Sequence, residues 1–303
     1  MLFLIDFLKR FDIFLSVLYN EIKGVLMKNW LQEKTVVVTG ASSGIGKEIC
    51  RRLIVCYNVN VIGVGRSEEK MLAFRQELGE YAQKFTYRLF DVSQRESWTA
   101  FAEELNKNGT EVTLLINNAG MFPTFSRALN TPVETIERIL KVNFYSAVYG
   151  AEAFKDIVFK NPKGGIVNVC SSGALCTVAG TAAYSSSKAA LKAYTEALMI
   201  EEKGKYVAIM YPGTTKTELF RNDKQTENSA LDLIAMKPSK MARKIVRKIR
   251  HRRKRAVLGI DAKMMNFVAK IAPVKGIFLI RNFMKAAKSK VFKNVFDEGE
   301  KKQ

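Results

Sequence analysis

The sequence is poor in the residues that serve metal and disulfide chemistry. Its 303 residues include one histidine, His251, and four cysteines, Cys50, Cys56, Cys170 and Cys176. The cysteines form no CxxC pair and gather no ligand-rich cluster. No bound metal and no disulfide framework are therefore expected, and a reducing, cytoplasmic setting is the default. His251 lies in a basic run, which nearly excludes mechanisms built on a histidine base. Only six prolines occur and 48 % of the residues are hydrophobic, so a sizeable core can form. Global disorder is excluded.

The N-terminal stretch 1–31 is apolar but lacks an uninterrupted run. A transmembrane helix needs about 20 mostly apolar residues, and Asp6, Lys9, Arg10 and Asp12 break this one. A secretory signal would need an unbroken apolar segment and a small-residue cleavage site; neither is present. On a helical wheel Phe7, Phe11, Phe14, Leu18 and Ile22 share one face, opposite Lys9, Arg10, Asp12 and Lys23. Such an amphipathic helix suits a membrane interface, or packing on its own domain or on a partner subunit.

Acidic residues are scarce at the other end. From Lys237 to Gln303 there are 21 Lys/Arg against 4 Asp/Glu, a net of +17 out of the chain's +20. Residues 1–236 are nearly neutral, so any electrostatic partner meets the C-terminal end. The run 240–255 reads as a helix with Met241, Ile245, Val246 and Ile249 inward and basic residues elsewhere. Beyond it, 261–303 is expected to form a basic amphipathic extension. No nucleic-acid-binding fold or aromatic stacking motif accompanies the charge, so nucleic acid is not expected as a partner. A solvated face is one reading. An anionic lipid surface fits better, because apolar residues accompany the charge throughout.

Between these ends, apolar runs alternate with amphipathic stretches. Strands are predicted at 34–39, 59–64, 84–90, 112–117, 164–170, 205–211 and 255–259. Helices are predicted at 44–55, 67–80, 94–107, 132–159, 183–203 and 238–250. This alternation implies parallel crossovers and a doubly wound α/β sheet in a single domain, 32–260.

The first strand runs into TGASSGIG, 39–46. Gly40, Gly44 and Gly46 let the backbone turn tightly and approach a pyrophosphate, which a helix N-terminus favours. The second strand ends at Gly65-Arg66, where a carboxylate would select NAD; a cation suits a 2′-phosphate, so NADP(H) is the expected cofactor. Tyr184 and Lys188, in YSSSK, are four apart and share a helix face. A nearby ammonium lowers a phenol pKa and makes the hydroxyl a usable acid or base. Thirteen residues upstream of Tyr184, Ser171 could orient a carbonyl oxygen; Ser172 is its rival.

TGASSGIG, NNAG (117–120), Asn143 in KVN, Ser171, YSSSK and PG-x-x-x-T (212–217) occur in order. With them the sequence resembles the classical short-chain dehydrogenase/reductase family across about residues 32–260. The resemblance implies a seven-stranded parallel Rossmann sheet and hydride transfer between a nicotinamide and an alcohol or ketone. It implies that Tyr184 protonates the substrate oxygen while Lys188 holds the nicotinamide ribose. Ser171 would bond the carbonyl and Asn143 would support a proton relay. Ser42, Ser43 and Ile45 would join the three glycines around the phosphates, and Asp91 and Val92 would contact the adenine. Asn118, Ala119 and Gly120 would line the cofactor, with Pro212, Gly213, Thr215 and Thr217 closing over its nicotinamide end. Ala179 stands where many relatives carry proline, which bears only on local loop shape.

The two unusual ends look like those of membrane-associated members acting on lipid-like carbonyls. The implied protein is a homo-oligomeric reductase of a lipophilic carbonyl at a membrane surface. The alternatives are a soluble reductase of small carbonyls and a non-catalytic NADPH-sensing module.

Overall fold

Val36, Val37 and Val38 show how the sheet is built: side chains alternate across a strand, and both faces of this one are covered. In the computed structural model, which describes residues 30–217, 235–286 and 292–296, β1 (Thr35–Thr39) is an interior strand of a seven-stranded sheet. The other strands are β2 (Asn60–Gly65), β3 (Phe85–Leu89), β4 (Leu114–Asn117), β5 (Gly165–Val169), β6 (Tyr206–Pro212) and β7 (Arg255–Leu258). Their order is β3-β2-β1-β4-β5-β6-β7, and every pairing is parallel. Strands β4, β5 and β6 are buried throughout, as sheets covered on both faces require. The edge strands β3 and β7 mix buried with exposed positions.

On one face Val36 and Val38 pack with α1 (Gly44–Tyr57), α2 (Glu68–Glu77) and α7 (Pro238–Arg250). The basic α7 buries Met241, Ile245, Val246 and Ile249, the face expected from its pattern. Pro238 occupies its first turn, where a missing N–H costs nothing. On the other face Val37 packs with α3 (Arg95–Lys107) and α5 (Ser146–Lys160), around Trp98, Phe101 and Phe154. The turn after α7 is pinned to the sheet, with the Arg252 guanidinium 5.0 Å from the Trp30 ring and 4.6 Å from the Tyr206 ring.

One part differs from the sequence expectation. The single helix predicted over 132–159 is α4 (Val133–Leu140), a π turn over Lys141–Tyr145, and then α5. The wider turn displaces the backbone around Asn143, a device common at functional sites. After β7 the chain enters α8 (Ile260–Ile271) and α9 (Pro273–Ala286), followed after a gap by the short α10 (Lys293–Phe296). Helix α6 (Ala182–Glu201) completes the set between β5 and β6. The expected amphipathic helix over 1–31 lies outside the described residues apart from Trp30 and Leu31, as does the segment 218–234 that follows the PG-x-x-x-T motif. Among the described residues no helix is long and apolar enough to cross a membrane.

Helix α7 should matter to stability through its buried face alone. Ile245→Ala should lower unfolding free energy by about 2–4 kcal/mol. Arg247→Ala, on the exposed face, should change it by less than about 0.5 kcal/mol. Urea midpoints of the two variants test this.

Candidate active site

Strand order reverses between β1 and β4, whose connections leave in opposite directions and open a crevice at their C-terminal ends. Gly40 and Gly44 have φ of +66° and +55°, a region costly to any residue with a Cβ. A Cβ on Gly46 would run into the Gly40 carbonyl, so that glycine lets α1 come close beneath the loop. The N-cap, Ser43, makes no side-chain capping bond, and the first turn of α1 holds no acidic residue. Its orphan N–H groups are thus unopposed by a built-in anion, which suits a phosphate.

The loop after β4 is tied to this one by Thr39. Its Oγ1 accepts from the N–H groups of Asn118 and Ala119, both at 2.9 Å, and Asn118 Nδ2 donates back to the Thr39 carbonyl at 3.0 Å. Below, Asn117 Nδ2 donates to Asn168 Oδ1, and Asn168 Nδ2 to Thr195 Oγ1.

At the end of β2, Ser42 lies against Gly65, and Arg66 is exposed with no hydrogen bond or ion pair to another described residue. Phe90 N–H donates to the Gly65 carbonyl, which brings Asp91 and the buried Val92 beside that strand end. Asp91 Oδ1 accepts from Ser93 N–H and Oγ.

Tyr184 sits in the first turn of α6, buried, with its ring edge-on to Phe122 at 4.9 Å. The Ser171 side chain approaches it beside Gly173, favours the ionised phenol, and accepts from Gly173 N–H at 3.1 Å. Its rival Ser172 is buried next to it. One turn along α6, buried Lys188 donates from Nζ to the Val169 carbonyl at 3.3 Å. Asn143 accepts from Met121 N–H and donates to the Met121 carbonyl and to Ser187 Oγ. Its Oδ1 and Lys188 Nζ lie on the same side of Gly120.

A sequence model of the short chain dehydrogenase family matches residues 34–228. The chain belongs to that family. A 3-ketodihydrosphingosine reductase of Bos taurus is 33 % identical over 260 residues, covering 80 % of this chain and 76 % of the relative. A 3beta-hydroxysteroid dehydrogenase 2 of Eggerthella lenta is 30 % identical over 192 residues, covering 62 % of this chain and 74 % of the relative. Among solved structures, a closed serine dehydrogenase complexed with NADP+ superposes with a TM-score of 0.63 at 25 % identity, over 70 % of this chain and 87 % of that one.

In this short-chain dehydrogenase a cavity of about 760 Å³ opens at the crevice. Its walls include Gly40, Ser43, Gly44 and Ile45 from the glycine loop and Asn118, Ala119 and Gly120 from the loop after β4. Ser171, Tyr184 and Lys188 form another wall; Pro212, Gly213, Thr215 and Thr217 form a third. Outside its lining are Gly46, Ser42, Arg66, Asp91, Val92 and Asn143: the first lies under the loop, the last behind Gly120, and the others toward the β2 end.

Sequence reasoning missed the far wall. Met264, Met265 and Val268 of α8 and Leu279, Ile280 and Phe283 of α9 line the cavity. Asp261 reaches it too, accepting from Thr214 N–H at 2.6 Å and filling space that a side chain at Gly213 would need. The alternation of apolar and basic residues in 261–286 showed an amphipathic segment, but nothing local indicated which surface it covers.

The electrostatics also differ from expectation. Lys188 was expected to lower the Tyr184 pKa. Burial dominates instead and pushes the phenol up to about 12, with the Ser171 side chain opposing. The same burial lowers the Lys188 pKa, weakening the ammonium that would have stabilised a phenolate. Tyr184 therefore holds its proton throughout the neutral range. Its stabilising contribution should be complete below about pH 10, the ordinary tyrosine value. It should be lost as pH rises toward about 12. An ultraviolet difference titration of wild type against Tyr184→Phe should show no Tyr184 ionisation below pH about 10; a transition near neutrality would contradict the role of burial.

Proposed function

We propose that this short-chain dehydrogenase is an NADP(H)-dependent reductase of a lipophilic ketone or aldehyde, of steroid, acyl or sphingoid type, working at a membrane surface. One observation carries the reading. The protonated phenol of Tyr184, beside Ser171, lines a cavity whose far wall is built from the apolar Met264, Met265, Val268, Leu279, Ile280 and Phe283. The likeness to 3-ketodihydrosphingosine reductase and 3beta-hydroxysteroid dehydrogenase supports lipid-like substrates, and the NADP+ complex of serine dehydrogenase supports the cofactor.

The uncapped N-terminus of α1 and its glycine loop fit a pyrophosphate, with Ser43, Ile45 and Gly46 completing the bed. Ser42 and Arg66 would take a 2′-phosphate, and Asp91 and Val92 the adenine. Asn118, Ala119 and Gly120 would line the cofactor, and Pro212, Gly213, Thr215 and Thr217 would close over its nicotinamide end. When bound, the nicotinamide supplies the hydride.

The chain's own side chains manage the oxygen. Ser171 Oγ donates to the carbonyl oxygen and orients it. Tyr184 Oη gives its proton to that oxygen as negative charge develops, and the raised pKa keeps the proton available at neutral pH. Buried Lys188, one turn along α6, would hold a ribose hydroxyl with its Nζ. Asn143 grips the Met121 backbone and Ser187, keeping the relay path beside Gly120 in shape.

NADPH oxidation against a panel of lipid-like and small ketones tests the reading. Tyr184→Phe should lower kcat by about 10²–10⁴-fold, and full retained turnover would sink the mechanism. Arg66→Ala should raise the NADPH KM by roughly tenfold or more, the scale of a charged hydrogen bond, while leaving the NADH KM little changed. Equal effects on both cofactors would reject its phosphate role.

A further inference from the structure

Nine of the sixteen large hydrophobic side chains exposed among the described residues lie within α8 and α9. On α8, Ile260, Met264, Phe267 and Ile271 follow one another at three- and four-residue steps, a continuous stripe along one helix face. On α9, Phe278 and Phe283 are 58 % and 70 % exposed. Lys263, Lys270, Lys275, Arg281 and Lys285 are exposed on the same two helices. Their one acidic residue, Asp261, is engaged with Thr214 at the cavity. Met264, Leu279 and Phe283 belong to both surfaces: each is more than half exposed, and each lines the cavity. The apolar outer face therefore continues into the rim of the cavity.

We propose that the outer face of α8 and α9 docks on an anionic lipid surface, and that substrate passes from that surface into the cavity over the Met264–Leu279–Phe283 rim. The inference rests on the reading of the cavity as a site for lipophilic carbonyls. Bulky apolar side chains set among lysines and arginines match the two parts of such a surface, acyl chains and phosphate headgroups. A second copy of this chain is a poorer occupant, because it would bring one strongly positive face against another. Nucleic acid would leave the phenylalanines in water.

Full-length protein is floated with phosphatidylcholine vesicles that contain or lack phosphatidylglycerol. Phe267 and Phe278 do not line the cavity, so Phe267→Glu/Phe278→Glu leaves the site intact. The double variant should bind anionic vesicles at least about tenfold more weakly, the scale set by two buried aromatic side chains. Its kcat/KM should fall for a long-chain ketone carried in the vesicles and stay unchanged for a water-soluble ketone. Phe278→Trp, which preserves the apolar face, should gain emission that is quenched by brominated lipid.

Wild-type protein that ignores anionic vesicles, a double variant that binds like wild type, or an unquenched Trp at position 278 overturns the docking. A sedimentation shift showing that this face is covered by a second copy overturns it too. Lost binding with unchanged turnover of the vesicle-borne ketone overturns the entry route. If no ketone of either kind is reduced, the reductase reading fails, while flotation and quenching still decide the docking.

Discussion

The hydroxyl of Thr39 joins the two loops that diverge at the centre of the sheet. Topology opens a crevice there, because the chain leaves β1 toward one side and β4 toward the other. Left alone, such loops would be free to splay. One side-chain oxygen accepts from two successive N–H groups of the β4 loop, and Asn118 returns a bond to the Thr39 carbonyl. The absence of a Cβ on Gly46 then lets α1 sit directly beneath. The N-terminus of α1 and the loop after β4 take their positions from this junction.

Burial sets the chemistry of the site as much as proximity does. Two ionisable groups four residues apart invite a picture in which the ammonium activates the phenol. In water the pair would gain only about 1 kcal/mol at 4 Å, whereas desolvating an ion costs several. With Tyr184 and Lys188 both buried, the desolvation cost wins, and each is driven toward its neutral form. A neutral phenol is the form a reductase needs at the carbonyl oxygen.

The parts of the molecule legible in the sequence share one property: their cause is local. Val36 to Val38 and the glycines at 40, 44 and 46 announce a strand and a phosphate-binding turn by spacing alone. So does the buried face of α7, where Ile245 and Ile249 recur among the cations. The π turn at Lys141–Tyr145 left no such mark, because KVNFY contains no helix breaker and fits the helical period on either side. What it achieves is visible only some twenty residues away, in the Met121 backbone that Asn143 holds. The role of Asp261 was hidden for the same reason. Its partner is the Thr214 amide, and only the assembled sheet brings β6 and α8 together.

The excess charge also changes meaning once it is divided among structures. Part of it belongs to α7, whose cations surround a fully buried apolar stripe and solvate an ordinary core helix. The cations of α8 and α9 surround a stripe that is exposed. Each lysine or arginine near an anionic bilayer contributes about 1 kcal/mol within a Debye length. Each large apolar side chain taken out of water contributes about 1.5–3 kcal/mol. On α8 and α9 the apolar contribution to docking on such a bilayer would therefore be the larger one, and the charge would set which surface is approached. The net charge of the chain hides this distinction, because it depends on which faces the fold leaves uncovered.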